Sequence, residues 1–489
     1  ALFRLVLAGG DIVRNGLITW GHQFPLLGWI FPVLFSIFGA VTSLALVRHF
    51  APETSGSGIP HLKGVLHRFR TMRWTRILPT KFIAGTLALS GGLGLGREGP
   101  IVQMGGAVGD AIANRLKASP GERRTLIAAG AGAGLAAAFN APLSGLTFVL
   151  EEVQRDFHPM VFAAAFIAAV IADIVARLLS GSSPIFLIPS YPTPPIASLP
   201  FFALLGCIAA PLGVLFNRGL ISALDFFARF KGKSVLVAVA VVGAIIGMIS
   251  WYSPSAVGGG HQLAEIVLAG KLSLVAIPMW FVLRFLLTTI SYGTGTAGGI
   301  FAPLLVLGAL VGLGIGLIAH QLVPSAVPEP AVFAVVGMGA YFTAIVRAPL
   351  TGILLIVEMT GNYEQMLPLL VSCFCAYIVA EWMKNMPIYE ALLERDLLLN
   401  EPRIQFKEPM VVDFMVEPGA PFDQKEICSL GLPPGCVIVR CVEEGKEFVP
   451  TAKTRLVAHT KMTVFIAPEA ANGFDALYQG CKSIKENGR

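Results

Sequence analysis

The chain has 489 residues, of which 55% are hydrophobic and only 13% charged, roughly half the charge of ordinary soluble domains. A soluble core this apolar would expose large adhesive patches, so composition excludes a wholly soluble protein and places the bulk of the chain in lipid. The formal charge of +6 is too small to call for a nucleic-acid partner.

Apolar segments are predicted over about 24–47, 77–96, 125–150, 160–179, 199–220, 234–251, 275–290, 298–320, 331–357 and 366–383. Several reach the ~20 residues that span a bilayer. Others are short or interrupted by glycine and proline. Interrupted helices at membrane depth are tolerated only where protein or a watery cavity surrounds them, and in transporters they point to the binding site. Between the first two segments lies "HLKGVLHRFRTMRWTR" (61–76), whose basic residues predict a cytoplasmic loop. No cleavable signal peptide is read at the start, and the abrupt apolar opening reads as the lack of a short polar N-terminus. After about residue 387 the composition turns charged and proline-rich. The short alternating runs "CVIVRCV" (436–442) and "MTVFIA" (462–467) then predict a small soluble β-rich domain of about 70 residues. The seven cysteines are an odd number without a paired CxxC pattern or a histidine cluster. Neither a disulfide framework nor a zinc site is expected, and the soluble part reads as belonging to a reducing compartment.

The membrane part repeats itself. "GREGPIVQMGGAVG" (96–109) aligns with "GIFAPLLVLGALVG" (299–312), so that Gly96, Pro100, Gly105, Val108 and Gly109 match Gly299, Pro303, Gly308, Val311 and Gly312. "GAGAGLAAAFNAPLSGLTFVLEE" (130–152) aligns with "GMGAYFTAIVRAPLTGILLIVEM" (337–359), with Ala141-Pro142-Leu143-Ser144-Gly145 and Glu151 recurring as Ala348-Pro349-Leu350-Thr351-Gly352 and Glu358. Both blocks keep their order and spacing, which predicts a duplication.

Residues 94–99 also satisfy GxGxxG, the dinucleotide fingerprint. The second copy argues against that reading, because Gly94 becomes Ala297 and Gly99 becomes Ala302. What survives is Gly-x-x-x-Pro, a sharp turn followed by a helix start. Helix starts carry unpaired N–H groups and partial positive charge, a ready anion site. Two of them aimed at one point bind an anion without a full countercharge, which would hold the ion too tightly to release it. "SGSGIP" (55–60) offers a third start, with Ser57 placed to donate its hydroxyl or to cap the helix. Ser57 with His61 lacks a paired acid, so an intramembrane hydrolase is disfavoured.

Taken together, "GSGIP" (56–60), "GREGP" (96–100), "GGIFAP" (298–303), "FNAPLSG…EE" (139–152), "RAPLTG" (347–352) and "MPIYEALL" (386–393) resemble the CLC chloride channel and transporter family, in the family's order. The stretch 430–469 resembles the TrkA-C domain of cation-transport regulators. The resemblance implies an all-α polytopic membrane protein of two inverted repeats with broken helices, followed by a small β-rich α+β domain. The expected division is 1–395 for the membrane domain (halves at about 20–180 and 200–385), 396–470 for the TrkA-C-like domain, and 471–489 for a tail without clear signal.

The family also implies roles. Ser57 and Tyr389 are expected to donate side-chain hydroxyls to a central chloride, completed by the N–H groups of Ile300 and Phe301. Arg97 and Glu98 are expected at the outer site, with Glu98 as the gating carboxylate that competes with chloride. Glu152 matches the internal proton glutamate, and Glu151 its structural neighbour. With Glu152 and Tyr389 both present, chloride/proton antiport is the expected function and a passive chloride channel the alternative; an enzyme is not expected. The implied partners are chloride, protons, the bilayer, a second copy of the chain and a small ligand at the C-terminal domain, with no cofactor and no nucleic acid. The expected location is the inner (plasma) membrane of a prokaryote, with the C-terminal domain cytoplasmic.

Overall fold

The computed structural model describes residues 2–24, 26–155, 157–181, 186, 191–399, 410–443, 446–467, 470 and 473–482. The chain divides into two compact units, residues 1–393 and 394–489. The first is helical throughout: α1 (Leu2–Gly21), α2 (Ile30–Phe50), α3 (Ile59–Leu66), α4 (Trp74–Ser90), α5 (Glu98–Leu116), α6 (Pro120–Phe139), α7 (Pro142–Phe148), α8 (Pro159–Ser180), α9 (Leu199–Ala228), α10 (Lys233–Tyr252), α11 (His261–Leu268), α12 (Ala276–Gly293), α13 (Phe301–Leu322), α14 (Ala331–Val346), α15 (Pro349–Thr360), α16 (Met366–Trp382) and α17 (Ile388–Leu399), which runs across the division. Among the described residues, seven of these are long and apolar enough to cross a membrane. The protein is therefore a multi-pass membrane protein, and α13 is the most enclosed of its spans.

Two apolar segments that read as continuous are each broken in two, at equivalent places. The segment at 125–150 parts between α6 and α7, and that at 331–357 between α14 and α15. Each first helix ends on a left-handed residue, Asn140 (φ +54°) or Arg347 (φ +68°). Each second helix then starts on Ala-Pro, with proline in the first turn, where its missing N–H costs nothing. Hydropathy cannot show such a break, because both halves are oily.

The duplication is visible in the backbone. Gly96 N–H donates to Gly299 O and Gly299 N–H to Gly96 O, both at 2.7 Å, an antiparallel bridge between aligned glycines. Helix packing repeats as well. A Cβ on Gly105 of α5 would strike the Gly130 carbonyl of α6, and one on Gly130 would strike that of Gly105. The aligned Gly308 of α13 and Gly337 of α14 make the same mutual contact. Close backbone approach of this kind is what small residues provide between membrane helices.

Three differences from the sequence reading stand out. α1, only moderately apolar, precedes the first predicted segment. The basic run 61–76 is not simply a solvated loop: α3 covers its first turns, and Lys63 is buried, with 2% of its surface exposed. The apolar segment 199–220 is the first part of a 30-residue helix, α9, that carries Pro211 in its interior.

The second unit holds a four-stranded antiparallel sheet of β1 (Met410–Met415), β2 (Cys436–Glu443), β3 (Lys446–Phe448) and β4 (Lys461–Ile466), in the order β1-β4-β2-β3. A short helix, α18 (Gly473–Cys481), lies in the stretch read as featureless. Its nine residues are too few for periodicity to declare. The stretches 400–409 and 483–489 lie outside the described residues. Val464 and Ile466 of β4 face a core shared with Phe414, Cys441 and Leu477, the alternation expected of a sheet covered on one face.

Across this sheet Thr463 donates its hydroxyl to Asp413 at 2.5 Å and Lys461 Nζ lies 2.9 Å from the same carboxylate. The hydroxyl first, and the ammonium after it, hold the Asp413 carboxyl below the usual range. A depressed folded-state value gives stability that is full above the unfolded value of about 3.9 and lost as pH falls through the folded one. Asp413→Asn should lower hydrogen-exchange protection of the β1 and β4 amides at pH 7 by about 0.5 kcal/mol, small because the pair is largely solvated. The difference should shrink as pH falls below the unfolded value and vanish once the carboxyl is protonated in the folded state too.

Candidate anion and proton site

Three helix starts converge. α3 begins after Gly58, α5 after Arg97 and α13 after Ile300. The Gly96–Gly299 bridge ties the second to the third. A parallel bridge ties the first to the same strand: Gly56 N–H donates to Thr296 O at 3.0 Å, and Gly298 N–H to Gly56 O at 2.9 Å. A Cβ on Gly99 would collide with Ser57, so glycine there is what lets the start of α5 come up against the serine. The first-turn N–H groups of each helix have no carbonyl within their own helix, and each start carries roughly half a positive charge.

The sequence-predicted residues meet here as follows. Ser57 is fully buried, and its Oγ accepts from Ile59 N–H at 3.3 Å while its own N–H faces the Tyr292 hydroxyl at 3.4 Å. Ser57 is therefore not the N-cap of α3, which is Gly58; its oxygen accepts from the first helical N–H, and its own proton stays available to another acceptor. Ile300 and Phe301 are fully buried at the start of α13, with the Phe301 ring packed on Phe139, Phe148 and Phe342. Tyr389 is fully buried and its hydroxyl has no hydrogen-bond partner among the described residues. Both Glu98 and Glu152 lie within its electrostatic reach.

Glu98 is fully buried. Its Oε2 accepts from Ala302 N–H at 3.4 Å, so the carboxylate of one repeat lies on the helix start of the other. Arg97, 21% exposed, approaches Oε1 only to 3.8 Å, too long for a hydrogen bond. The pair is loose, and the amide of α13 is the firmer partner. A cavity of about 190 Å³ lined by Arg14, Gly96, Arg97 and His261 adjoins this point.

Glu152 belongs to a second cluster. It is fully buried at the π-helical end of α7, and Lys63 Nζ lies 2.6 Å from its Oε1. Arg155 lies 3.7 Å from its Oε2 and also pairs with Glu390. Sequence reasoning missed Lys63, Arg155 and Glu390. The one available signal was that Lys63 stands four residues after Ile59, in the helix that follows "GSG". Lys81 was missed as well: fully buried, it donates to Thr54 O at 2.8 Å and Gly56 O at 2.7 Å. It thereby fixes the loop that carries Ser57.

Glu151 and Glu358 exchange places between repeats. Glu151 accepts from Leu350 N–H, Thr351 N–H and Thr351 Oγ1 at 3.1, 2.8 and 2.8 Å. Glu358 accepts from Leu143 N–H, Ser144 N–H and Ser144 Oγ at 3.0, 2.8 and 2.5 Å. Each acid caps the other half's short helix, α15 or α7. A carboxylate here is structural, because three donors already occupy it.

The chain is similar to known proteins over most of its length. Residues 39–381 match the family model described as voltage gated chloride channel. The chain is 42% identical over 391 residues to the H(+)/Cl(-) exchange transporter ClcA of Vibrio parahaemolyticus, covering 79% of this chain and 83% of that protein. It is 43% identical over 383 residues to the transporter of the same name from Vibrio cholerae, covering 77% and 81%. Among solved structures it is similar to a slow cyanobacterial Cl-/H+ antiporter, with a TM-score of 0.79 at 39% identity over 82% of this chain and 95% of that one. A eukaryotic CLC transporter has the same fold, with a TM-score of 0.69 at 24% identity over 81% and 71%.

Glu151→Gln and Glu358→Gln each leave one acceptor oxygen and an NH₂ group facing helix-start N–H donors. Each substitution should cost about 1–3 kcal/mol, read as a lowered Tm of the detergent-solubilised protein. Glu122→Gln, at the exposed capping box of α6, serves as the comparison and should change Tm little.

Proposed function

The chain belongs to the voltage-gated chloride channel family, and we propose that it is a chloride/proton antiporter in which Glu98 is both the gate and the proton carrier. The observation that carries this reading is the position of the Glu98 carboxylate on the Ala302 N–H at the start of α13. An anion-binding place is then filled by a group that loses its charge on protonation.

Deprotonated, Glu98 takes the helix-start N–H groups for itself and excludes chloride. Protonated, it carries no charge to hold it there, and chloride replaces it. Deeper in, the hydroxyls of Ser57 and Tyr389 and the N–H groups of Ile300 and Phe301 coordinate a second chloride position. Arg97 adds positive potential at the outer site without sitting on the ion. Glu152 is the internal proton acceptor and exchanges its proton with Glu98 past the buried Tyr389. A carboxylate at membrane depth costs about 3 kcal/mol on insertion scales, so two such acids call for a task. Neither step needs a cofactor, and the chain is not an enzyme. The reading extends to a homodimer with a pore in each subunit, set in the inner (plasma) membrane. Residues 396–470 then form a cytoplasmic TrkA-C-like domain that binds a small ligand and biases transport.

Reconstitution into liposomes tests the proposal. A chloride gradient should drive protons uphill; chloride movement without protons marks a channel instead. Glu98→Ala should keep chloride flux and abolish proton movement, and Glu152→Ala should likewise remove the protons. Coupling that survives in both variants would sink the mechanism. Deleting residues 400–489 should alter how flux responds to added nucleotides or divalent cations; an unaltered response rules out the regulatory role.

A further inference from the structure

Glu152 is fully buried, so a proton reaching it from solution has to pass another group first. The cluster around it supplies a candidate. Lys63 Nζ lies 2.6 Å from Glu152 and 3.8 Å from Glu390, so one ammonium faces two carboxylates. Arg155 also touches both acids, at 3.7 Å from Glu152 and in direct contact with Glu390. Two cations and two anions thus share one enclosure, and its exposure is graded. Lys63 and Glu152 are 2% and 0% exposed, whereas Glu390 is 31% and Arg155 40% exposed.

The backbone bears the mark of this arrangement. Arg155 sits at φ +55°, a region non-glycine residues seldom adopt. That turn brings its guanidinium back over Glu152, three residues earlier, and across to Glu390 on α17. Glu390 directly follows Tyr389, so the half-exposed acid and the buried phenol of the anion site share the first turn of one helix. Of the other ionisable groups, His67 lies within electrostatic range of Lys63, Arg155, Glu390 and Arg124, and Tyr389 lies on the anion side.

We propose that Glu390 is the entry carboxylate of the proton path, handing its proton to Glu152 while the Lys63 ammonium changes partner from one acid to the other. The inference rests on the exchanger reading of Glu152. The step conserves atoms and charge. Glu390 protonates from solution and gives that proton to the Glu152 carboxylate; Glu390 is left as the anion and Glu152 as the neutral acid. Before the transfer Lys63 neutralises Glu152, and after it Lys63 neutralises Glu390. No unpaired buried charge arises, which is the costly state such a path must avoid. Lys63 and Arg155 are positioning residues in this scheme, because they act only through the two acids.

The full-length protein in liposomes provides the test, with proton and chloride fluxes recorded together from about pH 5 to pH 8. Glu390→Gln should slow proton flux about tenfold, since water replaces a positioned carboxyl poorly. The chloride-to-proton ratio should rise and the inflection assigned to proton entry should disappear from the pH profile. Glu390→Asp, which keeps the carboxyl, should restore most of the proton flux and the inflection. A wild-type ratio and pH profile in Glu390→Gln would overturn the proposal. A parallel fall of both fluxes with the ratio and profile unchanged would also overturn it, since that is the mark of a merely structural pair. Glu152→Ala in the same vesicles separates the two levels: if it loses protons while Glu390→Gln does not, only the entry role fails. If the wild-type protein itself moves no protons, the exchanger reading fails with it.

Discussion

Two glycine peptides, Gly96 and Gly299, exchange both of their backbone hydrogen bonds, and the site is organised around that exchange. At membrane depth no water is available to satisfy a broken backbone. A helix may start there only if its approach is paired and its first N–H groups are committed to something. The bridge solves the first problem for α5 and α13 at one stroke, because each approach is the other's partner. The second problem is answered in part by the Glu98 carboxylate, which takes the Ala302 N–H at the start of α13; the proposed function gives the remaining first-turn N–H groups to the anion.

The same economy appears one layer out. Glu151 and Glu358 each cap a helix in the opposite repeat, so the short helices α7 and α15 are finished by each other's half. The two repeats are therefore not separable modules. The asymmetry is confined to a few side chains, above all Glu98 where the second copy has Phe301. A shared backbone frame holds an acid in one half and an aromatic wall in the other.

Much of this was legible in the residue pattern. The aligned Gly-x-x-x-Pro and Ala-Pro-Leu blocks foretold the duplicated helix starts, and the recurrence of Glu151 as Glu358 foretold a structural acid. The uneven second copy exposed GxGxxG as a coincidence of glycines. Other features were out of reach. Lys63 reads as one cation in a basic run, and only folding brings it to Glu152, 89 residues away. Glu390 looks like an ordinary helix-start acid until α17 is placed beside Arg155. Periodicity also passed over the breaks at Asn140 and Arg347, since a left-handed residue between two oily helices leaves no trace in hydropathy. Local geometry and strong repetition are written locally; charge pairing across the fold is not.

The mutual contacts of Gly105 with Gly130, and of Gly308 with Gly337, carry a mechanical consequence. Backbones that touch without intervening side chains leave no cushion along which one helix can shear past its neighbour. The α5–α6 and α13–α14 pairs then behave as stiff beams behind the helix starts of α5 and α13. On the proposed reading, movement during a cycle falls to the parts that are free to rotate, and the smallest of these is a single carboxylate arm. Such a machine would be slow to change its global shape, and quick to respond to the arrival of one proton.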